Sequence, residues 1–320
     1  MRILVLSDIH YACAAEQARR GYEHRAVDNP LLRLALRGYR HFIWLRDPVG
    51  QNHLLDKFLD RTGSPDLVIA NGDYSCDTAF VGVSDDAACQ SASECLAKLR
   101  GKFNARFRAT FGDHELGKTS LAGGKGGMRL QSWHRSLTDL RLEPCWQVEV
   151  GNYVLIGVVS SLVALPVYEP DALAGEVAEW RRLREAHMAD IRRVFDTLRP
   201  EQRVLLFCHD PTALPFLWEE EYVRSRLGQV EQTIIGHLHS ELFLWKSRRL
   251  SGMPVIRFMG NSVRRFSTAL SGARHWKPFN LRLCPSLAGI ELLKDGGYFE
   301  VELDEDARVP ARWEFRPLPR

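Results

Sequence analysis

Seven side chains in this 320-residue chain have the types and spacing of metal ligands: Asp8, His10, Asp73, Asp113, His209, His237 and His239. Three carboxylates and four imidazoles form a mixed oxygen and nitrogen set. Such a set suits Mn, Fe, Zn or Ni better than Mg or Ca, which prefer oxygen alone. Seven ligands exceed the needs of one ion, whereas two ions bridged by a carboxylate use them fully. Two ions about 3.5–4 Å apart can hold a hydroxide between them and clamp a phosphoryl group for in-line attack. A single strand-end His or Asp is most often a packing residue. Asp8-Ile-His10 and His237-Leu-His239 together with three further ligands are not accounted for in that way.

These residues need elements that bring them together. Short apolar runs recur along the chain, at 2–10, 66–73, 107–115, 153–161, 203–210, 232–240 and 254–262, each closing on a polar cluster. Runs of four to six apolar residues without alternation predict strands buried on both faces. Helical patterns separate several of them, notably 85–100 and 176–198. Alternating strand and helix predicts an α/β fold. In five runs Asp or His follows the apolar residues at once, which predicts convergence at the carboxyl ends of strands. From about 250 the pattern turns strand-rich, with Gly-Ile-Glu-Leu-Leu, Gly-Tyr-Phe-Glu-Val-Glu-Leu and Ala-Arg-Trp-Glu-Phe. No repeat, low-complexity tract or linker interrupts the chain, so one domain over 1–320 is expected.

The ordered set Asp8-x-His10, Gly72-Asp73, Gly112-Asp113-His114-Glu115, His209 and Gly236-His237-x-His239 resembles the calcineurin-like metallophosphoesterases. The resemblance implies a four-layer α/β/β/α sandwich with two mixed central sheets and a dinuclear centre, manganese first among its metals. By family analogy, Asp8, His10 and His239 would hold one ion and His209, His237 and residue 113 the other. Asp73 would bridge them. His114 would contact the phosphate and protonate the leaving oxygen, oriented by Glu115 or Asp77. The chain departs from the family pattern at Asp113, where the family has a neutral Asn whose amide also donates to phosphate. The extra charge implies a changed metal preference, slower turnover, or a site suited to a phosphodiester. A membrane-surface or regulatory protein with a weakly active metal site is the alternative.

Gly112, Gly117, Lys118 and Thr119 also satisfy a phosphate-binding P-loop pattern. That reading needs a helix after Thr119, but a Gly-rich stretch follows, and two acids inside the loop repel nucleotide. Other substrate contacts are expected from Lys118, Lys125, Arg264 and Arg265. The GD motif continues as Tyr74-Ser75-Cys76-Asp77, without the Asp-Arg-Gly of Ser/Thr protein phosphatases. Residues 29–46 read as a basic amphipathic insert. Pro30 starts a helix after Asn29, with an apolar arc through Leu31, Leu34, Leu36, Phe42 and neighbours. Arg33, Arg37 and Arg40 group on the other side. Such a helix either packs on the core with exposed arginines or faces a membrane or acyl chain. The second reading favours a lipid-linked phosphoester or pyrophosphate, as in the UDP-2,3-diacylglucosamine hydrolases of the family.

Composition sets outer bounds. Hydrophobic residues make up 45%, charged residues 26%, and the net charge is +3. That balance gives no strong nucleic-acid signal. Seven scattered cysteines without a CxxC pair read as free thiols of a reducing compartment. The chain opens directly on an apparent first strand rather than a signal peptide. The most apolar run, 153–167, falls short of the about 20 residues a spanning helix needs. A cytoplasmic protein, peripheral to the membrane at most, is expected.

Overall fold

The computed structural model describes residues 1–120, 124–256 and 261–319, with backbone alone at 261 and 262. Among the described residues ten strands form two sheets: β1 Arg2–Leu6, β2 Leu67–Asn71, β3 Phe107–Thr110, β4 Cys145–Val150, β5 Tyr153–Val158, β6 Arg203–Cys208, β7 Val230–Ile235, β8 Leu281–Leu283, β9 Gly297–Glu302 and β10 Arg312–Pro317. The first sheet runs β10-β9-β1-β2-β3 and the second β4-β5-β6-β7-β8. Within the first, β1, β2 and β3 are parallel, and β9 and β10 are added antiparallel. Within the second, β5 to β8 are parallel and β4 is antiparallel. Both sheets are therefore mixed, and the expected sandwich is what the chain forms.

Strand residues split between two cores. Ile3 and Val5 of β1, Ile69 of β2, Leu205 and Phe207 of β6 and Ile234 of β7 fill the space between the sheets. Their alternates, including Leu4, Leu6, Val68, Val204 and Leu206, face outward and pack with helical side chains. Burying each such side chain contributes about 1.5–3 kcal/mol, which is why these strands read as unbroken apolar runs.

Seven helices longer than two turns lie among the described residues: α1 Pro30–Phe42, α2 Asn52–Arg61, α3 Asp86–Phe103, α4 Leu130–Thr138, α5 Val177–Asp196, α6 Glu241–Arg249 and α7 Asn261–Gly272. Asn29 caps α1, accepting from the Leu31 and Leu32 amides. α5 buries Trp180, His187, Met188, Ile191 and Phe195 along one stripe and leaves most of its arginines in solvent.

The insert is reversed relative to a core-packed helix. Arg33 donates to the Val27 carbonyl at 2.9 and 3.1 Å, and Arg40 pairs with Glu23. Leu31, Leu34 and Phe42 instead point outward, 77%, 67% and 68% exposed. Arg33 and Arg40 turn inward because their partners lie in the segment just before the helix, while Arg37 stays in solvent and Leu36 is buried.

Two tail readings change. Residues 289–293 form no strand; the Glu291 and Leu292 amides donate to the Trp44 and Ile43 carbonyls, which ties this stretch to the insert. The run at 254–262 includes 257–260, outside the described residues, and from Asn261 the chain is helical. No helix among the described residues is long and apolar enough to cross a membrane. The apolar run at 153–167 becomes β5 and short helical turns.

Candidate metal centre

Every parallel strand that ends in a motif delivers it to one place. β1 leads to Asp8 and His10, β2 to Asp73, β3 to Asp113 and His114, β6 to His209, and β7 to His237 and His239. The sharp exits place Asp8, His10, Asp73, His237 and His239 at φ between 50° and 59°, the left-handed region side chains rarely adopt. Such conformations persist only where surroundings enforce them, and they cluster at functional sites. Two motif glycines are required by close approach. A Cβ on Gly112 would meet Asp73 Oδ1 at 2.1 Å, and one on Gly236 would meet Ser7 Oγ at 2.1 Å.

The seven residues form overlapping triads whose ligand atoms lie within 4.8 Å of one another: Asp8, His10 and His239; Asp8, Asp73 and His209; Asp113, His209 and His237. His10 Nε2 and His239 Nε2 face each other at 3.1 Å, and Asp8 Oδ1 is 3.3 Å from His239 Nε2. His209 Nε2 lies 3.3 Å from both Asp73 Oδ2 and Asp113 Oδ1. Asp113 Oδ1 is also 3.0 Å from His237 Nδ1. Asp73 thus stands between the two outer groups.

The surrounding bonds aim these atoms. His209 Nδ1 is 2.5 Å from the Asn71 carbonyl and His10 Nδ1 is 3.3 Å from that of Ser75, which turns both Nε2 atoms inward. Ser7 Oγ donates to Asp8 Oδ2 at 2.6 Å. Glu115 accepts from the amides of Gly112, Asp73 and Tyr74, locking two motif loops together. Asp77 accepts from the Val81 and Gly82 amides. The group that orients His114 is neither carboxylate but the Ser75 carbonyl, 3.0 Å from Nδ1. His114 Nε2 then points at Asp73 Oδ2, 3.7 Å away.

The donor set fits divalent cations. Asp73 Oδ2 and His209 Nε2 are buried without a hydrogen bond, and two imidazole nitrogens face each other where nothing but a cation or proton reconciles them. Burial, then His114, pushes His10 down to about 4, so it is neutral and offers a lone pair. Burial opposes charge on His209, yet the Asp73 and Asp8 carboxylates hold it well above the usual imidazole range. His209 must therefore release a proton to ligate. Metal affinity is expected to rise with pH through neutrality and beyond. Calorimetric Mn²⁺ titration in two buffers of different ionisation enthalpy should show roughly one proton released or more; pH-independent affinity would contradict the assignment of His209.

The sequence profile of the calcineurin-like phosphoesterases matches residues 1–241. The chain belongs to this family. It is a metal-dependent phosphoesterase. Among solved structures it is similar to a phosphopantetheinyl hydrolase from Mycobacterium tuberculosis, at 14% identity over 74% of this chain and 82% of that one, with TM-score 0.36. It is also similar to a dimetal phosphatase from Danio rerio, at 17% identity over 75% of this chain and 82% of that one, with TM-score 0.40. No curated protein sequence matches it.

In this phosphoesterase a cavity of 310 Å³ opens on His10, His114, His237 and His239. The four expected substrate contacts divide around it. Lys118 and Arg265 line the cavity. Lys118 Nζ is 2.6 Å from Asp113 Oδ2, and Arg265 pairs with Asp171 at 3.0 Å. Lys125 and Arg264 are exposed and are not among its lining residues. The Lys125 amide donates to Ser120 Oγ and its carbonyl accepts from the Ser120 amide, and Arg264 lies on the exposed side of α7. Residues 121–123 of the Gly/Lys-rich loop lie outside the described residues. No helix starts at 117–120, which removes the P-loop reading.

Sequence reasoning missed Asp210 and Tyr168. Asp210 Oδ2 is 4.0 Å from His237 Nε2 and accepts from the Tyr168 hydroxyl. The only signal for Asp210 is its place directly after His209. Trp44, expected only as part of the insert, has a second place: its ring stands 4.5 Å from that of His239 and walls the cavity.

Proposed function

We propose that the chain hydrolyses a phosphoester or pyrophosphate whose substrate carries a lipid-like chain, for instance a UDP-diacylglucosamine-type pyrophosphate, at a membrane surface. The observation that carries this reading is the cavity wall. Beside the histidines stand Tyr39, Trp44, Phe243, Phe266, Leu270 and Trp276, an apolar lining suited to an acyl chain rather than to a polar alcohol. The exposed apolar face of α1 continues outward from Tyr39 and Trp44, with Arg37 and Arg46 also exposed, a pattern that fits an interfacial helix. Seven free cysteines, six of them buried, support a cytoplasmic placement.

Asp8, His10 and His239 would hold one divalent ion and Asp113, His209 and His237 the second, with Asp73 between them. Two such ions, manganese first among the candidates, supply Lewis-acid activation of water and neutralisation of phosphoryl charge. His114 delivers the proton. With Nδ1–H donated to the Ser75 carbonyl, the protonated ring offers its Nε2–H to the oxygen that leaves phosphorus; burial lowers the hold of His114 on that proton and the Asp73 carboxylate restores part of it. The aromatic wall places the apolar end of the substrate and excludes water from the reacting centre.

The test compares bis-p-nitrophenyl phosphate with a diacyl nucleotide-diphospho-lipid. Phe243→Ala and Phe266→Ala should raise KM for the lipid roughly tenfold or more and leave the soluble diester unchanged. Equal effects on both substrates, or no hydrolysis of the lipid, would remove the acyl-chain reading. Vesicle flotation checks the helix separately. The wild type should float with phosphatidylglycerol vesicles, while Leu31→Ser/Leu34→Ser/Phe42→Ser should lose roughly 100-fold in partitioning. That variant should still hydrolyse the soluble diester at the wild-type rate. A wild type that stays in solution would contradict the membrane reading.

A further inference from the structure

The two oxygens of the Asp113 carboxylate face different partners. Oδ1 faces the imidazoles, 3.0 Å from His237 Nδ1 and 3.3 Å from His209 Nε2. Oδ2 faces away from them, 2.6 Å from the Lys118 ammonium. The resemblance to the family implies an Asn at this position, whose amide oxygen would face metal and whose NH₂ would donate toward phosphate. Aspartate keeps the first function and loses the second.

We propose that Asp113 and Lys118 act as one neutral unit that replaces this Asn, Asp113 Oδ1 serving the metal and the Lys118 ammonium serving the phosphoryl oxygen. Lys118 reaches the required place. It lines the cavity with His114 and His237, and an ammonium bound to one carboxylate oxygen retains two further donors. Its charge completes the electrostatic balance. Two divalent ions against Asp8 and Asp73 leave two positive charges; Asp113 removes one and Lys118 restores it. Phosphate then meets the attraction a neutral ligand would have left.

The loop is built to hold the lysine there. The Gly117 amide donates to the Asp113 carbonyl at 3.0 Å, so Lys118 leaves the same helical turn that carries its partner. A Cβ on Gly117 would lie 2.6 Å from the Gly127 carbonyl oxygen, so the chain is clamped at that residue. Arg265 donates to the Thr119 carbonyl at 3.3 Å and is fixed by Asp171. The lysine that completes a P-loop-like pattern in the sequence therefore balances the acid five residues before it rather than cradling a nucleotide.

The inference rests on the phosphoesterase reading of the site, and its test uses binding rather than turnover. Inorganic phosphate and Mn²⁺ affinities are measured for the wild type, Lys118→Met, Asp113→Asn and Asp113→Asn/Lys118→Met. Lys118→Met should weaken phosphate about tenfold or more, the scale of a lost charge-assisted hydrogen bond, with two Mn²⁺ still bound. Asp113→Asn alone should weaken Mn²⁺, because the unpaired ammonium then faces the cations. The double variant should return phosphate affinity to within about threefold of the wild type. Lys118→Gln repeats the measurement if Lys118→Met folds poorly. Unchanged phosphate affinity in the Lys118 variants, or a double variant as weak as Lys118→Met, would overturn the coupling. A Mn²⁺-loaded wild type that binds no phosphate would overturn the phosphoesterase reading with it.

Discussion

Asp73→Asn should abolish phosphoesterase activity, by about 1,000-fold or more, and reduce bound Mn²⁺ from two ions toward one. Asp73 is fully enclosed, and its Oδ2 has no hydrogen bond of its own. That oxygen points at His209 Nε2 from 3.3 Å, between the two outer ligand groups. Its other oxygen accepts the His114 amide at 3.0 Å, so one side chain touches both the candidate metal cluster and the residue proposed as proton donor. Asparagine keeps that amide contact but cannot place charge between two cations. Losing several kcal/mol of electrostatic stabilisation corresponds to roughly three decades or more in rate. Metal analysis after dialysis, paired with hydrolysis of bis-p-nitrophenyl phosphate, checks both halves. Two Mn²⁺ with near wild-type activity in Asp73→Asn would remove the bridging role.

The second large effect concerns His114. His114→Asn should lower kcat by about 10²–10⁴, the range for loss of a general acid, and leave the Mn²⁺ content unchanged. The distinction from Asp73 is the useful part. His114 Nδ1 is occupied by the Ser75 carbonyl and its ring borders the cavity, and its Nε2 also lies within reach of His10 and Asp73, so the metal content of the variant separates a proton donor from a ligand. The loss should be smallest for p-nitrophenol esters, whose leaving group needs little help from a proton, and largest for an alkyl ester. A uniform loss across leaving groups, or loss of metal, would place His114 among the ligands instead.

The convergence of the candidate ligands is legible in the sequence for a local reason. A buried parallel strand is an unbroken apolar run, and the residues that follow it must leave the sheet at its carboxyl end. Reading Asp8, Asp73, Asp113, His209 and His237 at five such ends therefore brings them to one edge without further information. The partners of those ligands are harder to read because they are main-chain atoms. The Ser75 carbonyl serves two histidines, and no residue type announces a carbonyl. The cavity wall is illegible for another reason: Trp44, Phe243 and Phe266 come from three segments with no common motif.

The insert shows where periodicity stops. Its apolar arc is visible from residue spacing, but the direction it faces depends on Glu23 and the Val27 carbonyl, which draw Arg40 and Arg33 inward. Those partners lie in a short irregular stretch. Arg33 and Arg40 turn toward these partners, and Leu31, Leu32 and Leu34 are exposed while Leu36 stays buried. The tail stretch at 289–293 follows the same logic, since its amides bond to the insert rather than to a strand.

The most direct test of the dinuclear centre is a joint titration of Mn²⁺ binding and hydrolysis in protein stripped by chelator. Activity toward bis-p-nitrophenyl phosphate should rise with added Mn²⁺, reach its plateau at two ions per chain, and vanish again with excess chelator. Hydrolysis that persists in the stripped protein, or a plateau with fewer than two ions bound, would contradict a two-metal mechanism in this chain.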